Sequence, residues 1–198
     1  MTLLPRVDKR QEMRIAGEGG QGIILASIIL AEAALEEGYH VVQTQSYGPE
    51  SRGGTSRADV IIAPAEIDNT TVVKPDLLLA MNKASFRKYA PQVRPGGIIL
   101  ADQTFVGQEE IEDFKRSNPD MEIYSLPFTS LAQEKLGTTM VANIVALATL
   151  VGLTRIVSPE NLRVALNKHV PKEVIKINLT ALEAGLRLPL NSGTSILI

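Results

Sequence analysis

Apolar and polar positions alternate in blocks along the first two thirds of the chain. Short runs of aliphatic residues, typical of strands, are separated by segments with helical spacing or by turn residues. The runs predict six strands, at residues 12–16, 39–45, 57–63, 76–81, 97–102 and 121–127. Because the strands are continuously aliphatic and are interleaved with helices, the pattern predicts an α/β fold with a mostly parallel sheet and helices on both faces.

Three helices are predicted between these strands, at residues 22–38, 84–93 and 108–117. From about residue 128 the pattern is helical throughout. One helix there has a clear start, since Ser158 can cap it and Pro159 occupies its first position. No repeat, low-complexity segment or linker interrupts the chain. The prediction is therefore a single domain over residues 1–198, Rossmann-like, with a helical C-terminal third.

Composition narrows the classes of function. The 198 residues carry a net charge of −2 and no basic stripe, which argues against nucleic acid as a partner. Cysteine is absent, so this chain cannot form disulfides, ligate iron–sulfur clusters through thiolates or use a thiol nucleophile. With two histidines only, a histidine metal site is not expected. No apolar run approaches 18 residues and the N-terminus has no signal-peptide core, so we expect a cytoplasmic protein without a membrane segment.

The motif "GEGGQG" lies between the first predicted strand and the first predicted helix. Its glycines at positions 17, 19, 20 and 22 satisfy G-x-G-x-x-G in the strand–turn–helix context that phosphate binding requires. A dinucleotide site also needs an acid at the end of the second strand, but that strand ends in Gln43, Thr44 and Gln45. NAD binding is therefore disfavoured. A tight turn without a ligand remains open, and Gln21 is either solvated or offers its amide to a ligand or a neighbouring loop.

A second unusual loop, "QSYGPESRGG", follows the second strand. In a parallel sheet the loops after strands one and two leave the same edge, so the two loops are expected side by side around one cleft. Arg52 can pair with a phosphate or carboxylate, and Tyr47 can stack on a flat group. The alternatives are an ion pair between Glu50 and Arg52 at the surface and a structural role for Tyr47.

The order of several motifs resembles a known family. "GEGGQGIILAS", "QSYGPESRGGTSRADVIIA", "KPDLLLAMN", "PGGIILAD" and "TTMVANIVALATLVGLT" together resemble the gamma subunit of 2-oxoacid:ferredoxin oxidoreductases, from about Arg14 to the last helix. The sub-type is similar to the 2-oxoglutarate enzyme, because the second loop contains "SYGPESRGG" where the pyruvate enzymes are closer to "SFGPERRGA". The resemblance thus implies one subunit of a complex that oxidatively decarboxylates a 2-oxoacid.

The resemblance also implies which subunits hold the substrate and the cofactors. Coenzyme A is the substrate associated with this domain, while thiamine diphosphate, magnesium and iron–sulfur clusters belong to sister subunits. The implied partners are the alpha, beta and ferredoxin-like delta subunits. No catalytic residue and no metal ligand is implied in this chain. Carried over by position, the implied ligand and interface residues are Gly17, Gly19, Gly20, Gln21, Gly22, Ser46, Tyr47, Gly48, Pro49, Glu50, Arg52 and Gly53.

Two other functions stay open at this stage. One is a stand-alone, Rossmann-like protein that binds a nucleotide or phosphate, and the other is a purely structural subunit with vacant loops. Among the remaining polar residues, Asn143 is either an ordinary buried tie or a link to the glycine loop, and Asp102 is expected to cap a helix or a turn. Arg57 is expected at the amino edge of the sheet, away from both loops.

Overall fold

The computed structural model describes residues 7–46 and 55–191. It contains six strands: β1 Gln11–Glu18, β2 His40–Ser46, β3 Thr55–Ala63, β4 Leu77–Ala80, β5 Ile98–Asp102 and β6 Glu122–Leu126. The helices are α1 Ile23–Glu36, α2 Lys83–Tyr89, α3 Gln108–Ser117, α4 Phe128–Leu136, α5 Ala142–Thr154, α6 Pro159–His169 and α7 Ile175–Asn191. The α/β prediction and the helical C-terminal third are confirmed.

The six strands form one mixed sheet in the order β2-β3-β1-β4-β5-β6. The strands β1, β4, β5 and β6 pair in parallel, while β3 is antiparallel to both of its neighbours. Since β2 and β1 both oppose β3, they point the same way. Five of the six strands therefore run in one direction, and β3 alone is reversed.

The reversal of β3 corrects one expectation. The ends of β1 and β2 reach the same edge, but they do not lie side by side, because β3 is inserted between them. The reason is the length of the connection. Only eight residues, 47–54, join β2 to β3, whereas a parallel crossover needs about a dozen or more. A short connection leaves the antiparallel arrangement as the available one.

Helices cover both faces of the sheet, as predicted. On one face, Met13, Ile15, Leu79 and Leu100 pack in a large aliphatic cluster with α1 and with α4 to α7. On the other face, α2 and α3 pack over a smaller cluster that includes Leu78 and Ile99. The nearly all-apolar α5 lies within the larger cluster, with most of its residues buried.

A buried ion pair joins β1 to β3 on the face that α2 covers. Arg14 is 1% exposed and donates to both carboxylate oxygens of Asp59, at 2.7 and 3.0 Å. It also donates to Gln92 Oε1 at 2.6 Å and to the Val72 carbonyl at 2.9 Å. The guanidinium lies 5.2 Å from the ring centroid of Tyr89. The charge is thus paired and hydrogen-bonded, which is the condition under which burial of an ion is tolerated.

Candidate ligand site at the carboxyl edge of the sheet

The glycine motif forms a tight turn that is shorter than the sequence suggests. Gly17 and Glu18 still belong to β1, so the turn consists of residues 19–22. Gly20 and Gly22 have φ angles of +95° and +70°, in the left-handed region that favours glycine. At Gly19 a Cβ would meet only Ser56 Oγ, at 4.0 Å, so the backbone there is open to an approaching group. The turn therefore has the accessible backbone that phosphate binding requires.

Gln21 connects this turn to the end of β4, the neighbouring strand in the sheet. Its Oε1 accepts a hydrogen bond from the Glu18 amide at 2.6 Å, and its Nε2 donates to the Met81 carbonyl at 3.1 Å. Of the roles considered from sequence, the tie to a neighbouring loop is the one observed. A Cβ at Gly17 would stand 2.6 Å from Gln21 Oε1, which explains the glycine at that position.

Asn143, in the first turn of α5, holds the other side of the turn. It is 4% exposed, and its Nδ2 donates to the Gly22 carbonyl at 3.0 Å across 121 residues of sequence. This is the link to the glycine loop considered from sequence. Among the described residues, Asn143 Oδ1 is buried and has no hydrogen-bond partner. The side chain is therefore only half satisfied.

A cavity of about 260 Å³ opens beside the glycine turn. Gly20 and Gln21 border it at the start of α1, Thr129 lies in the first turn of α4, and Ala142 begins α5. Three helix N-termini thus meet at one cavity, but the Thr129, Ser130 and Ala142 amides already donate to Asp102, Thr104 and Thr139. The open backbone of the glycine turn at the start of α1 therefore remains as the feature that favours an anionic group such as a phosphate or carboxylate.

Apart from Thr139, the remaining wall of the cavity is apolar. Met81 follows β4, Phe105 follows β5, and Met140 precedes α5. Phe105 and Met140 are 47% and 86% exposed. These residues were missed from sequence, although a signal existed. Met81 ends a predicted strand, and Phe105 and Thr129 each follow one, where the carboxyl edge of a parallel sheet brings such residues together.

Asp102 fixes the start of α4 at the floor of this region. The carboxylate is fully buried and accepts from the Thr104 amide at 3.0 Å and the Thr129 amide at 3.2 Å. The Thr129 hydroxyl also donates to it. The expectation of a cap or turn residue is confirmed, since Asp102 satisfies amides of a turn and of a helix start.

The second predicted loop is only partly within the described residues. Ser46 is exposed at the end of β2 and pairs with Arg57, which in turn pairs with Ala16 of β1. Ser46 therefore stands at the same sheet edge as the glycine turn, two strand spacings or about 10 Å from Ala16 of β1. Tyr47, Gly48, Pro49, Glu50, Arg52 and Gly53 lie outside the described residues.

The expectation for Arg57 is wrong. Because β3 is reversed, Arg57 lies near the start of that strand at the carboxyl edge of β1, not at the amino edge. Its side chain is 37% exposed, and its Nε is 3.8 Å from Asp59 Oδ2. The strand reversal thus brings a half-exposed cation to the edge where the glycine turn lies.

A second cavity, of about 280 Å³, lies behind the first and shares Met140 with it. Leu25, Val141, Val174 and Ile177 line it, together with Asn143. Every described residue of its lining is uncharged.

Within residues 7–46 and 55–191, no group of three or more histidine or acidic side chains is placed to hold a metal ion. No helix there is long and apolar enough to cross a membrane.

Comparison with known proteins gives consistent matches over most of the chain. Residues 12–188 match the family model for pyruvate ferredoxin/flavodoxin oxidoreductase. The chain is 42% identical over 181 residues to 2-oxoglutarate synthase subunit KorC of Methanocaldococcus jannaschii, covering 91% of this chain and 94% of that protein.

Two solved structures are similar in fold. The keto/oxoacid ferredoxin oxidoreductase gamma subunit of Geobacter sulfurreducens superposes with a TM-score of 0.79 at 36% identity, covering 92% of this chain and 97% of that one. The 2-oxoglutarate:ferredoxin oxidoreductase of Magnetococcus marinus, solved with 2-oxoglutarate, coenzyme A and succinyl-CoA bound, gives 0.80 at 25% identity. That match covers 93% of this chain but 32% of the longer one.

Proposed function

This chain belongs to the pyruvate ferredoxin/flavodoxin oxidoreductase family, and we propose that it is the gamma subunit of a 2-oxoglutarate:ferredoxin oxidoreductase. The complex converts the 2-oxoacid to its acyl-coenzyme A and reduces ferredoxin. The observation that carries the proposal is the match to a 2-oxoglutarate synthase subunit over nearly the full length of both chains. The single domain supplies no catalytic acid, base or metal of its own. Thiamine diphosphate, magnesium and iron–sulfur clusters are held by alpha, beta and ferredoxin-like delta subunits.

The role of this chain is to form one wall of the coenzyme A site and to bind the sister subunits. The open glycine turn at the N-terminus of α1 supports an anionic ligand, and coenzyme A carries phosphates. A cavity of about 260 Å³ is too small for the whole coenzyme, so only part of it enters there. The remainder lies along the sheet edge beside Ser46, and Tyr47, Glu50 and Arg52, which lie outside the described residues, are the further ligands that the proposal assigns to it. A stand-alone nucleotide-binding protein is not favoured, because β2 ends without an acid for a ribose.

Isolation of the native complex tests the assignment. We expect sister subunits to co-purify and the complex to form succinyl-coenzyme A from 2-oxoglutarate with a ferredoxin acceptor. The chain alone is expected to be colourless and inactive. Turnover by the isolated chain, or purification without any partner, would contradict the proposal.

The Arg52→Ala variant tests the coenzyme A site directly. Since a charge-assisted hydrogen bond contributes about 1.5–3 kcal/mol, we expect an increase of roughly tenfold or more in the apparent KM for coenzyme A. The melting temperature of the isolated chain is expected to change little. Arg116→Ala is the control, because Arg116 is 77% exposed on α3. An unchanged KM combined with a large loss of stability would show a structural arginine instead.

A further inference from the structure

Two cations lie at the start of β3, at the carboxyl edge between the glycine turn and Ser46. The Arg57 side chain is 37% exposed. Lys88 is exposed on α2, and its Nζ lies 3.1 Å from Thr55 Oγ1 and 5.3 Å from the centroid of the Tyr89 ring. Because alternate residues of a strand share a face, Thr55 and Arg57 both lie on the face that α2 covers. The two cations therefore stand at one corner of the sheet.

Positive charge is in excess at this corner. Arg57 Nε is 3.8 Å from Asp59 Oδ2, but Arg14 already donates to both oxygens of that carboxylate. The other nearby acid is Glu18, which is exposed at the end of β1. Within residues 7–46 and 55–191, neither Lys88 nor Glu18 forms an ion pair. Three cations thus face two carboxylates, one of which is fully used inside the protein, and the corner favours an anion.

The corner is adjacent to the glycine turn. Arg57 pairs with Ala16 of β1, and Ser56 Oγ lies 4.0 Å from the position of a Cβ at Gly19. Neighbouring strands are about 4.8 Å apart, so an anion bound at the cations is next to one bound at the turn. A ligand that occupies both places carries two anionic groups close together.

The end of β2 indicates which ligand has that pattern. A dinucleotide site places an acid there for free ribose hydroxyls, whereas a site for a phosphorylated ribose uses an arginine nearby. Here β2 ends without an acid, and Ser46 at its end pairs with Arg57. Coenzyme A carries a pyrophosphate at the 5′ position and a phosphate at the 3′ position of the same ribose, so its anionic groups are adjacent in the same way.

We propose that Arg57 and Lys88 bind the 3′-phosphate of coenzyme A, while the glycine turn accommodates the pyrophosphate. The inference rests on the proposed function and adds a specificity to it. Arginine forms charge-assisted and often bidentate hydrogen bonds to phosphate, and lysine adds a point charge. Dephospho-coenzyme A has a hydroxyl in place of the 3′-phosphate, so the complex should discriminate against it through these two side chains.

Steady-state kinetics of the assembled complex with both substrates test the subsite. For the parent complex, we expect an apparent KM for dephospho-coenzyme A at least about tenfold above that for coenzyme A. Arg57→Gln and Lys88→Gln should each raise the KM for coenzyme A about three- to tenfold. Both variants should leave the KM for dephospho-coenzyme A within about twofold, because the group that they contact is missing from it.

Lys83→Gln is the matched control. Lys83 is 51% exposed on the same helix and pairs with Glu110 at 3.1 Å, away from β3. It should leave both KM values within about twofold. Calorimetric titration gives a second measurement without turnover. Adenosine 3′,5′-bisphosphate should bind the parent complex about tenfold more tightly than 5′-AMP, and Arg57→Gln should remove most of this preference.

The outcomes separate this inference from the function on which it rests. If the complex forms no acyl-coenzyme A, the proposed function fails. If the complex turns over coenzyme A but the parent uses dephospho-coenzyme A with an equal KM, only the phosphate subsite is overturned. An equal rise of both KM values in Arg57→Gln would also overturn it, because the arginine would then support the shape of the edge and not bind the 3′-phosphate.

Discussion

Two polar centres of this molecule differ in how completely their hydrogen bonds are used. Around Arg14, between β1 and β3, the guanidinium donates to Asp59, Gln92 and Val72 and lies over Tyr89. At the carboxyl edge, the backbone at Gly19 and Gly20 is open to an approaching group, and Asn143 Oδ1 is without a partner among the described residues.

The two centres also differ in their apolar surroundings. Arg14 and Asp59 are 1% and 5% exposed and lie on the sheet face that α2 covers. At the carboxyl edge, Phe105 and Met140 leave large apolar areas in contact with solvent.

The difference indicates which centre serves the fold and which serves a ligand or a partner. A buried charge is tolerated only when its hydrogen bonds are made within the chain, as they are at Arg14. A binding site requires the opposite, because donors, acceptors and apolar surface must remain available for something outside the chain. The consequence is that damage at Arg14 should appear as lost stability, while damage at the open edge should appear mainly in binding.

The largest loss of stability is expected from substitution of Arg14. Arg14→Leu leaves the Asp59 carboxylate buried without its main partner and should lower the free energy of unfolding by about 3–5 kcal/mol. Chemical denaturation of the isolated chain measures this loss.

The double substitution Arg14→Leu with Asp59→Leu serves as the control. Because it removes both charges, it should recover a large part of the stability, as replacement of a buried pair by apolar residues is often neutral. If the double variant is as unstable as the sum of the two single variants, the ion pair is not the coupled unit described here.

An intermediate effect is expected within the glycine turn. Gly22→Ala places a Cβ 2.3 Å from Asn143 Nδ2 and forces alanine to adopt a φ of +70°. The left-handed strain of about 1–2 kcal/mol and the disturbed hydrogen bond together should cost about 2–3 kcal/mol. Differential scanning calorimetry and denaturation of the isolated chain measure this cost.

Gly20 and Gly19 provide graded controls for that substitution. Gly20→Ala carries only the strain of its positive φ, since nothing lies within 4 Å of the added Cβ. Gly19→Ala should leave stability within about 0.5 kcal/mol and should act on coenzyme A binding alone. Equal stability losses at all three positions would show that the turn is rigid scaffold throughout and would remove the contrast between the two centres.

The smallest effect is expected at an exposed ion cluster between α1 and α6. The hydrogen bond from Lys168 holds the pKa of Glu32 below its ordinary value of 4.5, against the opposing effect of burial. The stabilisation is therefore present above pH 4.5 and is lost as the pH falls through the lowered pKa. Glu32→Gln should lower the melting temperature by about 1–3 °C at pH 7, and the difference should shrink as the pH is lowered below 4.5.

Glu134→Gln, which removes an exposed carboxylate on α4, is the control for this substitution. Its melting temperature at pH 7 should match that of the parent protein, and added salt should weaken the Glu32 effect, since exposed charges are screened. If Glu32→Gln lost as much stability as Arg14→Leu, burial would not decide how much an ion pair contributes to stability.

Much of the architecture was determined by the sequence itself. Local periodicity and turn residues predicted all six strands, the start of α6 at Ser158 and the helix α3 with its observed bounds. The glycine motif predicted a strand–turn–helix unit, which places residues 19–22 at the carboxyl edge of the sheet. These features depend on neighbours only a few residues apart, and such neighbours can be seen in a linear pattern.

The tertiary structure decided the remaining features, because each depends on direction or on distant partners. The aliphatic pattern indicates that β3 is buried, but it does not indicate the direction of the strand. Only the strand pairing shows that β3 is reversed and that Arg57 therefore lies at the carboxyl edge of β1. The pairing of Arg14 with Asp59 spans 45 residues, and the bond from Asn143 to Gly22 spans 121. Sequence spacing cannot specify such contacts, because they form only where separate elements pack together. The same packing gives the buried Arg14–Asp59 pair its structural role and leaves the carboxyl edge available for a ligand or a partner.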